Sequence, residues 1–259
     1  AGHAIPLPAP AVDPHAGHAM PAPAAYAPVP ALTDADRAAA FPNVAAHGTH
    51  DRAWHAYWLV DHLEAARVEG DAGFGWEVDG WVGGDVHRLW LRSEGEGTHG
   101  DVGVADVELL YGRSVSAWWD VVAGVRHAWG EGPARTTLAL GVQGLAPYKI
   151  PLEATLYLGD GRASARVEAG YETLLTSRWI VQWEATADLQ AGADAQRGLG
   201  PGLTTLAAGA RLRYEINRRF APYIGIEHER SFGATADLRR AAGEPIDETR
   251  VLAGVRFWF

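Results

Sequence analysis

The chain has 259 residues, a formal net charge of -10 and no cysteine. This length suffices for one sizeable barrel or two small domains, and the lack of cysteine excludes disulfide scaffolds, thiolate zinc sites and cysteine nucleophiles. The acidic balance argues against nucleic acid as a partner, because nucleic acid calls for a basic protein face. No apolar run reaches the roughly 18 residues of a transmembrane helix, so none is expected.

The N-terminal segment has the composition of a tail. Residues 1–32 are mostly Ala, Pro, His and Gly, and they offer little apolar surface to bury, so we expect them to be disordered. Thr33-Asp-Ala-Asp36 forms a capping box that predicts a short helix near residues 34–41, and Pro42 ends it. We therefore predict that residues 1–50 form a periplasmic His/Pro/Ala-rich tail with one short helix.

Metal-type ligands occur along this tail. The candidate metal ligands are His15, His18, Met20, His47 and His50. Imidazole binds Cu, Zn and Ni, and a thioether favours Cu(I), so the first three residues together indicate copper. A flexible chain can fold around an ion without a preformed site. The alternative is that histidines in a disordered tail are merely solvated.

From about residue 51 to residue 259 the hydrophobic pattern changes to a period of two, with turn residues recurring between the segments. We predict about twelve strands, an even number, as expected of a bacterial single-chain outer-membrane barrel with both ends in the periplasm. The strands are predicted near residues 54–66, 74–82, 87–94, 102–112, 118–129, 136–145, 152–158, 163–174, 179–189, 203–214, 220–230 and 249–259.

The last predicted strand shows two chemically different faces. One face carries Val251, Ala253, Val255, Phe257 and Phe259, and the other carries Arg250, Gly254 and Arg256. Successive side chains of a strand point to opposite sides. An Arg at the lipid midplane costs about 2–4 kcal/mol, so the charged face is expected to line a lumen. A soluble lipocalin-like barrel is the alternative, and it would bury these charges. The pattern predicts an all-β fold, a transmembrane antiparallel up-and-down β-barrel in the bacterial outer membrane, in contact with lipid.

The other predicted strands repeat this division, and their charged faces are expected to form an interior ion-pair network rather than a catalytic site. The predicted lumenal acids are Glu77, Asp79, Asp106, Glu108, Asp120, Glu153, Glu168, Glu172, Glu184, Asp188, Glu227 and Glu229. The predicted lumenal arginines are Arg88, Arg92, Arg126, Arg166, Arg211, Arg213 and Arg256. The surplus of acid would attract cations. The scattered histidines are interpreted as structural or interfacial: His55, His62, His87, His99, His127 and His228.

The predicted connections differ in length at the two ends of the barrel. Short turns are predicted at residues 83–87, 113–116, 175–178 and 217–219. Longer loops are predicted at residues 95–101, 130–135, 191–202 and 233–247, with 159–162 a short exception on the outer side. Short periplasmic turns and longer outer loops are typical of outer-membrane barrels.

Motifs for enzymes are weak. Gly95-Glu-Gly-Thr-His-Gly100 matches the dinucleotide pattern, but no helix follows it and it lies in a predicted hairpin. The chain has neither a G-x-S-x-G elbow nor an H-E-x-x-H motif. We expect no enzymatic activity, with an outer-membrane barrel hydrolase and a general cation-favouring pore kept as alternatives.

Several segments carry a resemblance to a known family. They are Thr33-Asp-Ala-Asp-Arg-Ala-Ala-Ala-Phe-Pro42, Asp61-His-Leu-Glu64, Trp81-Val-Gly-Gly-Asp-Val-His-Arg-Leu-Trp-Leu-Arg-Ser-Glu-Gly-Glu96 and Gly254-Val-Arg-Phe-Trp-Phe259. With these residues, the chain resembles the copper-resistance protein B family of bacterial outer-membrane proteins. The resemblance implies copper resistance by sequestration or export of periplasmic copper, with copper ions bound and a periplasmic multicopper oxidase as a partner. It leaves open the copper oxidation state and the choice between sequestration and transport.

Overall fold

The structure is a computed structural model. The part of the chain with the first helix and the part with the strands are described one after the other. The described residues are 30–40, 53–68, 71–98, 100–130 and 132–259. In the first part, helix α1 spans Asp34–Ala40. The backbone N–H of Thr33 donates to Asp36 Oδ2 at 2.9 Å, and the N–H of Asp36 donates to Thr33 Oγ1 at 3.2 Å. The predicted capping box is therefore confirmed.

The second part is a closed barrel of twelve antiparallel strands, in which β12 pairs back onto β1. The strands are β1 His55–Val68, β2 Asp71–Gly83, β3 His87–Thr98, β4 Asp101–Ser114, β5 Trp119–Gly130, β6 Arg135–Ala146, β7 Ile150–Gly159, β8 Arg162–Leu174, β9 Trp179–Gln190, β10 Gly202–Tyr214, β11 Phe220–Ser231 and β12 Asp247–Trp258. Closure leaves no sheet edge, so backbone groups are satisfied within the wall. The predicted fold class and strand number are confirmed.

The two faces of the wall have the predicted chemistry. Val251 on β12 and Ile224 on β11 face outwards and are 62% and 63% exposed, as a lipid-facing surface requires. Leu252 follows Val251 on β12, points to the opposite side of the wall and is buried inside the barrel. Within the described ranges, neither helix has the length and apolar character needed to cross a bilayer.

The two ends of the barrel differ. At the terminal end, where β1 begins and β12 ends, Trp58 and Phe259 exchange two backbone hydrogen bonds of 3.0 Å. Short turns join the strands there, including a 3-10 turn at Pro147–Lys149. The opposite end, here called the loop end, carries the long connections at residues 191–201 and 232–246.

Two predictions about the loop end are wrong. The loop predicted at 95–101 is mostly strand, because β3 continues to Thr98 and β4 begins at Asp101. The connection predicted as a loop at 233–247 contains a second helix, α2, which spans Gly233–Ala242. Gly243 ends this helix with a φ of 78°, and its N–H donates to the Arg240 carbonyl at 3.1 Å. Such a left-handed residue is a standard helix terminator, and glycine adopts it without a Cβ clash.

One side of the lumen is filled by an apolar cluster. Leu110, Val122, Ala139 and Tyr157 are buried there, and Trp90 packs against them. Gly112 makes room for this packing, because a Cβ at that position would lie 2.7 Å from Trp90 Nε1. The cluster thus joins four consecutive strands, β4 to β7, on one side of the barrel.

Candidate metal centre in the barrel lumen

A β-bulge in β1 places two consecutive polar residues in the lumen. Val60 pairs with Val78 and His62 pairs with Glu77, so Asp61 is the extra residue between them. Strict alternation would send Asp61 and His62 to opposite faces, but a bulge re-aims a side chain at the point where it interrupts the ladder. Asp61 and His62 consequently reach the same interior space.

His62 is the centre of this arrangement, and only 5% of it is exposed. Its Nδ1 lies 2.8 Å from Glu77 Oε2. Its Nε2 lies 3.5 Å from Glu184 Oε2 and 3.9 Å from Asp61 Oδ2, and among the described residues it has no hydrogen-bond partner. One ligand atom each of Asp61, His62 and Glu77 fall within 4.8 Å of one another. We call His62, Asp61, Glu77 and Glu184 the His62 centre.

The hydrogen bond at Nδ1 decides which nitrogen of His62 can bind a cation. If Nδ1–H donates to Glu77, the neutral imidazole has its lone pair on Nε2. Metal-ligating histidines commonly donate their other ring N–H to a carboxylate in this way. The lone pair then lies on the nitrogen that is 3.5 Å from Glu184 Oε2 and 3.9 Å from Asp61 Oδ2, an arrangement that a cation would stabilise.

Neighbouring side chains hold these carboxylates in position. Arg256 and Gln182 both donate hydrogen bonds to Asp61, the latter at 3.0 Å. Arg211 Nη1 donates to Glu184 Oε2 at 3.2 Å. Because polar contacts fix both acids, the His62 centre is preorganised within the wall.

Beside the His62 centre lies an acidic chamber, which shares Glu77 with it. Seven carboxylates line this chamber, against two arginines. The acids are Glu77, Asp79, Glu94, Asp106, Glu108, Glu153 and Glu168, and the arginines are Arg92 and Arg166. A cleft lined mainly by one sign of charge concentrates counter-ions, so the chamber favours cations.

Ion pairs cross the lumen between strands that are not neighbours. Arg92 on β3 lies 2.6 Å from Glu153 on β7. Arg166 on β8 pairs with Glu94 on β3 as well as with Asp188 on β9. These bridges join distant parts of the wall and narrow the space beside the His62 centre.

The predicted ion-pair network is confirmed, because each predicted lumenal arginine pairs with a carboxylate. The pairs include Arg88–Asp120, Arg92–Asp79, Arg126–Asp106, Arg166–Asp188, Arg211–Glu227, Arg213–Glu172 and Arg256–Asp61. Sequence reasoning missed the lumenal positions of Asp61, Glu64, Glu94 and Glu96. The interrupted alternation of apolar and polar residues in Asp61-His-Leu-Glu64 could have indicated the lumenal positions of Asp61 and Glu64.

The predicted tail ligands cannot be placed relative to this centre. His15, His18, Met20, His47 and His50 lie outside the described residues, and so does His99. Three histidines that were interpreted as structural make simple contacts with hydroxyl groups: His87 with Tyr111, His127 with Thr136 and His228 with Thr249. His62 differs from them because carboxylates surround it.

Comparison with known proteins identifies the family. The family described as Copper resistance protein B precursor matches residues 54–259, which include all twelve strands of the barrel. The chain belongs to the copper resistance protein B family. It is 44% identical over 233 residues to a Copper resistance protein B from Escherichia coli, covering 90% of this chain and 79% of that protein. A Copper resistance protein B homolog from Pseudomonas syringae pv. tomato (strain ATCC BAA-871 / DC3000) matches with the same identity and coverage.

A solved structure agrees on the architecture. The NanC porin superposes with a TM-score of 0.53 at 13% identity, covering 76% of this chain and 98% of the porin. At this identity the likeness concerns the fold alone. Family membership and the barrel together place this copper resistance protein B family member in the outer membrane.

Proposed function

We propose that this barrel supports copper resistance by binding copper inside its lumen, with the His62 centre as the site that retains it. The protein acts in this proposal as a nonenzymatic copper-binding protein, and copper is its cargo. Family membership supports the link to copper, and the His62 centre supplies the chemistry.

The observation that carries the proposal is the surroundings of His62 Nε2. This atom is buried, has no hydrogen-bond partner in the part of the chain that the structure describes, and lies 3.5 Å from Glu184 Oε2 and 3.9 Å from Asp61 Oδ2. A lone pair beside two carboxylates is costly in a buried place unless a cation joins them. A metal ion bound by Nε2 and these carboxylates would remove that cost.

The ligand types fit copper in its oxidised form. Imidazole nitrogen and carboxylate oxygen suit Cu(II), and Cu(II) generally binds such donors more tightly than other divalent first-row metals. Softer donors such as Met20 suit Cu(I). We infer that the histidines and Met20 of the tail capture periplasmic copper and that the His62 centre holds Cu(II).

The bridges across the lumen support sequestration over free export. The Arg92–Glu153 and Arg166–Glu94 pairs span the acidic chamber, so an ion would have to displace or bypass them to move along the barrel. A periplasmic multicopper oxidase is the protein partner that we propose for the same system.

Copper titration of the purified full chain in detergent tests the His62 centre. We expect His62→Ala to weaken Cu(II) binding by at least about tenfold, since a lost ligand removes a strong interaction worth more than roughly 1.4 kcal/mol. The matched control is His228→Ala, because His228 faces outwards and contacts Thr249. Electron paramagnetic resonance should show nitrogen coupling at the lumenal copper in the control but not in His62→Ala.

A second pair of variants separates the lumen from the tail. One lacks residues 1–50, and the other carries Ala at His15, His18, His47 and His50. We expect both variants to retain the His62-dependent resonance signal. We also expect both to bind fewer copper ions per chain than the wild-type protein. Unchanged copper binding after deletion would reject the tail as a site, whereas loss of all binding would reject the His62 centre.

A general cation-favouring pore is the second candidate, and the acidic chamber is the observation that favours it. Steady conductance in planar bilayers that is independent of copper would support the pore. The proposed absence of enzymatic activity is checked separately with ester and phospholipid substrates. Hydrolysis that disappears with a single Ser→Ala change would overturn it.

A further inference from the structure

The five turns at the terminal end, which we call the terminal rim, share an unusual composition. They cover residues 84–86, 115–118, 147–149, 175–178 and 215–219. Turns in water are built mainly of small and polar residues, but each of these turns exposes at least one large apolar side chain. The exposed side chains are Val86, Val115, Trp118, Tyr148, Leu175 and Ile216. In the described connections of the loop end, only Leu238 is of this kind.

The terminal rim also carries an excess of positive charge, although the chain has a formal net charge of -10. Its bases are Lys149, Arg178, Arg218 and Arg219, and its acids are Asp85 and Glu215. Glu215 already has a basic neighbour, because it lies 3.9 Å from the buried Arg213. Within the described ranges, none of the four rim bases pairs with a carboxylate. The rim therefore presents unpaired cations beside exposed apolar side chains.

Three of these bases lie on neighbouring turns, between β8 and β9 and between β10 and β11. The backbone N–H of Glu215 donates to the Arg178 carbonyl at 2.9 Å and so joins the two turns. Arg218 and Arg219 are exposed in the second turn. Guanidinium groups present paired N–H donors that match the geometry of phosphate. This sector of the rim thus has the chemistry of a phosphate-binding surface.

Arg178 lies at the edge of the lipid-facing wall. Its Nη1 donates to Tyr214 Oη at 3.4 Å, and the ring centroids of Tyr214 and Trp179 are 4.8 Å apart. Arg213 is buried in the lumen, so the next residue, Tyr214, lies on the outer face of the wall. Tyr and Trp favour the level at which lipid headgroups meet acyl chains. The Arg178 guanidinium is therefore placed at headgroup level.

We propose that the terminal rim binds anionic phospholipid headgroups, with Arg178, Arg218 and Arg219 as the bases that hold the phosphate. The apolar side chains of the turns insert between the headgroups and the upper acyl chains. Because such side chains recur in all five turns, they form a ring around the barrel. A ring fits a surrounding lipid leaflet better than a protein partner, which would contact one patch. The site does not involve copper or the His62 centre.

Lipid competition tests the rim. The purified full chain is equilibrated with mixed micelles of phosphatidylglycerol and phosphatidylcholine, and the retained lipids are counted by mass spectrometry. We expect wild type to prefer phosphatidylglycerol by at least about tenfold, because each base near an anionic surface strengthens binding several-fold. The Arg178→Gln, Arg218→Gln, Arg219→Gln variant should retain both lipids about equally. The wild-type preference should also fall as salt is added, since exposed charges are screened.

The matched control is the Arg67→Gln, Arg230→Gln, Arg240→Gln variant, which removes three exposed bases from the loop end and should keep the wild-type preference. Cu(II) titration of both variants should match wild type, which shows that the barrel is intact. Equal retention of the two lipids by wild type would overturn the proposal, and so would an equal preference in the two variants. Binding of soluble polyglutamate without a preference for phosphatidylglycerol would assign the rim to an acidic protein partner and likewise overturn it.

Discussion

Arg211 shows what a single buried charge contributes in this lumen. Its side chain is 4% exposed and touches three carboxylates, Glu64 at 3.1 Å, Glu184 at 3.2 Å and Glu227 at 3.1 Å. Tyr223 also donates to Glu64, at 2.7 Å. Removing the guanidinium would leave three carboxylates close together without their shared counter-charge.

Arg211→Met is therefore expected to lower the free energy of unfolding by about 3–5 kcal/mol, the usual cost of breaking a buried ion pair from one side. Guanidinium chloride unfolding of the detergent-solubilised barrel measures this. Arg113→Met, on an exposed site, should change the same quantity by less than about 0.5 kcal/mol. A similarly small decrease in the free energy of unfolding in both variants would show that Arg211 does not stabilise the barrel.

At the scale of single elements, the connection between β9 and β10 is tied to the barrel through Asp194. Within this connection Asp194 and Leu199 exchange backbone hydrogen bonds of 2.7 and 3.0 Å. Burial raises the pKa of the Asp194 carboxyl, but the hydrogen bond and charge of Arg135, with the charges of Arg162 and Arg197, outweigh burial and hold the pKa below its ordinary value of 3.8.

This lowered pKa predicts that the 191–201 connection loosens in acid. Ionised Asp194 stabilises the folded state above pH 3.8, and that contribution is lost as the pH falls through the folded-state pKa. Hydrogen exchange of residues 191–201 should be slower in wild type than in Asp194→Asn at neutral pH, and the difference should vanish in strong acid. If the difference in exchange rate between wild type and Asp194→Asn were the same at every pH, the charge of Asp194 would not be what stabilises this connection.

The bulge in β1 is the second decisive feature at this scale. The Asp61-His-Leu-Glu64 segment interrupts the alternation of apolar and polar residues. The sequence pattern alone therefore does not show which side chains of this segment point into the lumen. Pairing with β2 resolves it, since Asp61 has no partner between Val60 and His62. The position of a bulge depends on the register of the neighbouring strand, which the residues of β1 do not determine by themselves.

At the scale of the whole molecule, the proposal that the barrel stores copper and does not act as an open pore rests on the bridges that cross the lumen. Glu94 and Glu153 reach across to arginines on distant strands. Those arginines have further partners, Asp188 for Arg166 and Asp79 for Arg92. Removing the two glutamates would therefore open the lumen without leaving either arginine unpaired.

The Glu94→Ala, Glu153→Ala double variant is expected to conduct ions better than wild type in planar bilayers, because both bridges are lost. The control is Asp237→Ala, Arg240→Ala, which removes an exposed 2.7 Å pair on α2 and should leave conductance unchanged. Equal conductance in wild type and the double variant would argue that the bridges do not restrict the lumen.

Much of this molecule follows from its sequence alone. The alternation of apolar and charged residues determines the number of strands, their approximate limits and the face that most residues occupy, because strand geometry has a period of two wherever the pairing is regular. The cost of charge in lipid then directs the arginines and carboxylates inwards. Only the tertiary structure decides which of these charges meet. Barrel closure brings Glu94 to Arg166, and the register against β2 turns Asp61 and His62 to one side, because such contacts depend on partners far away along the chain.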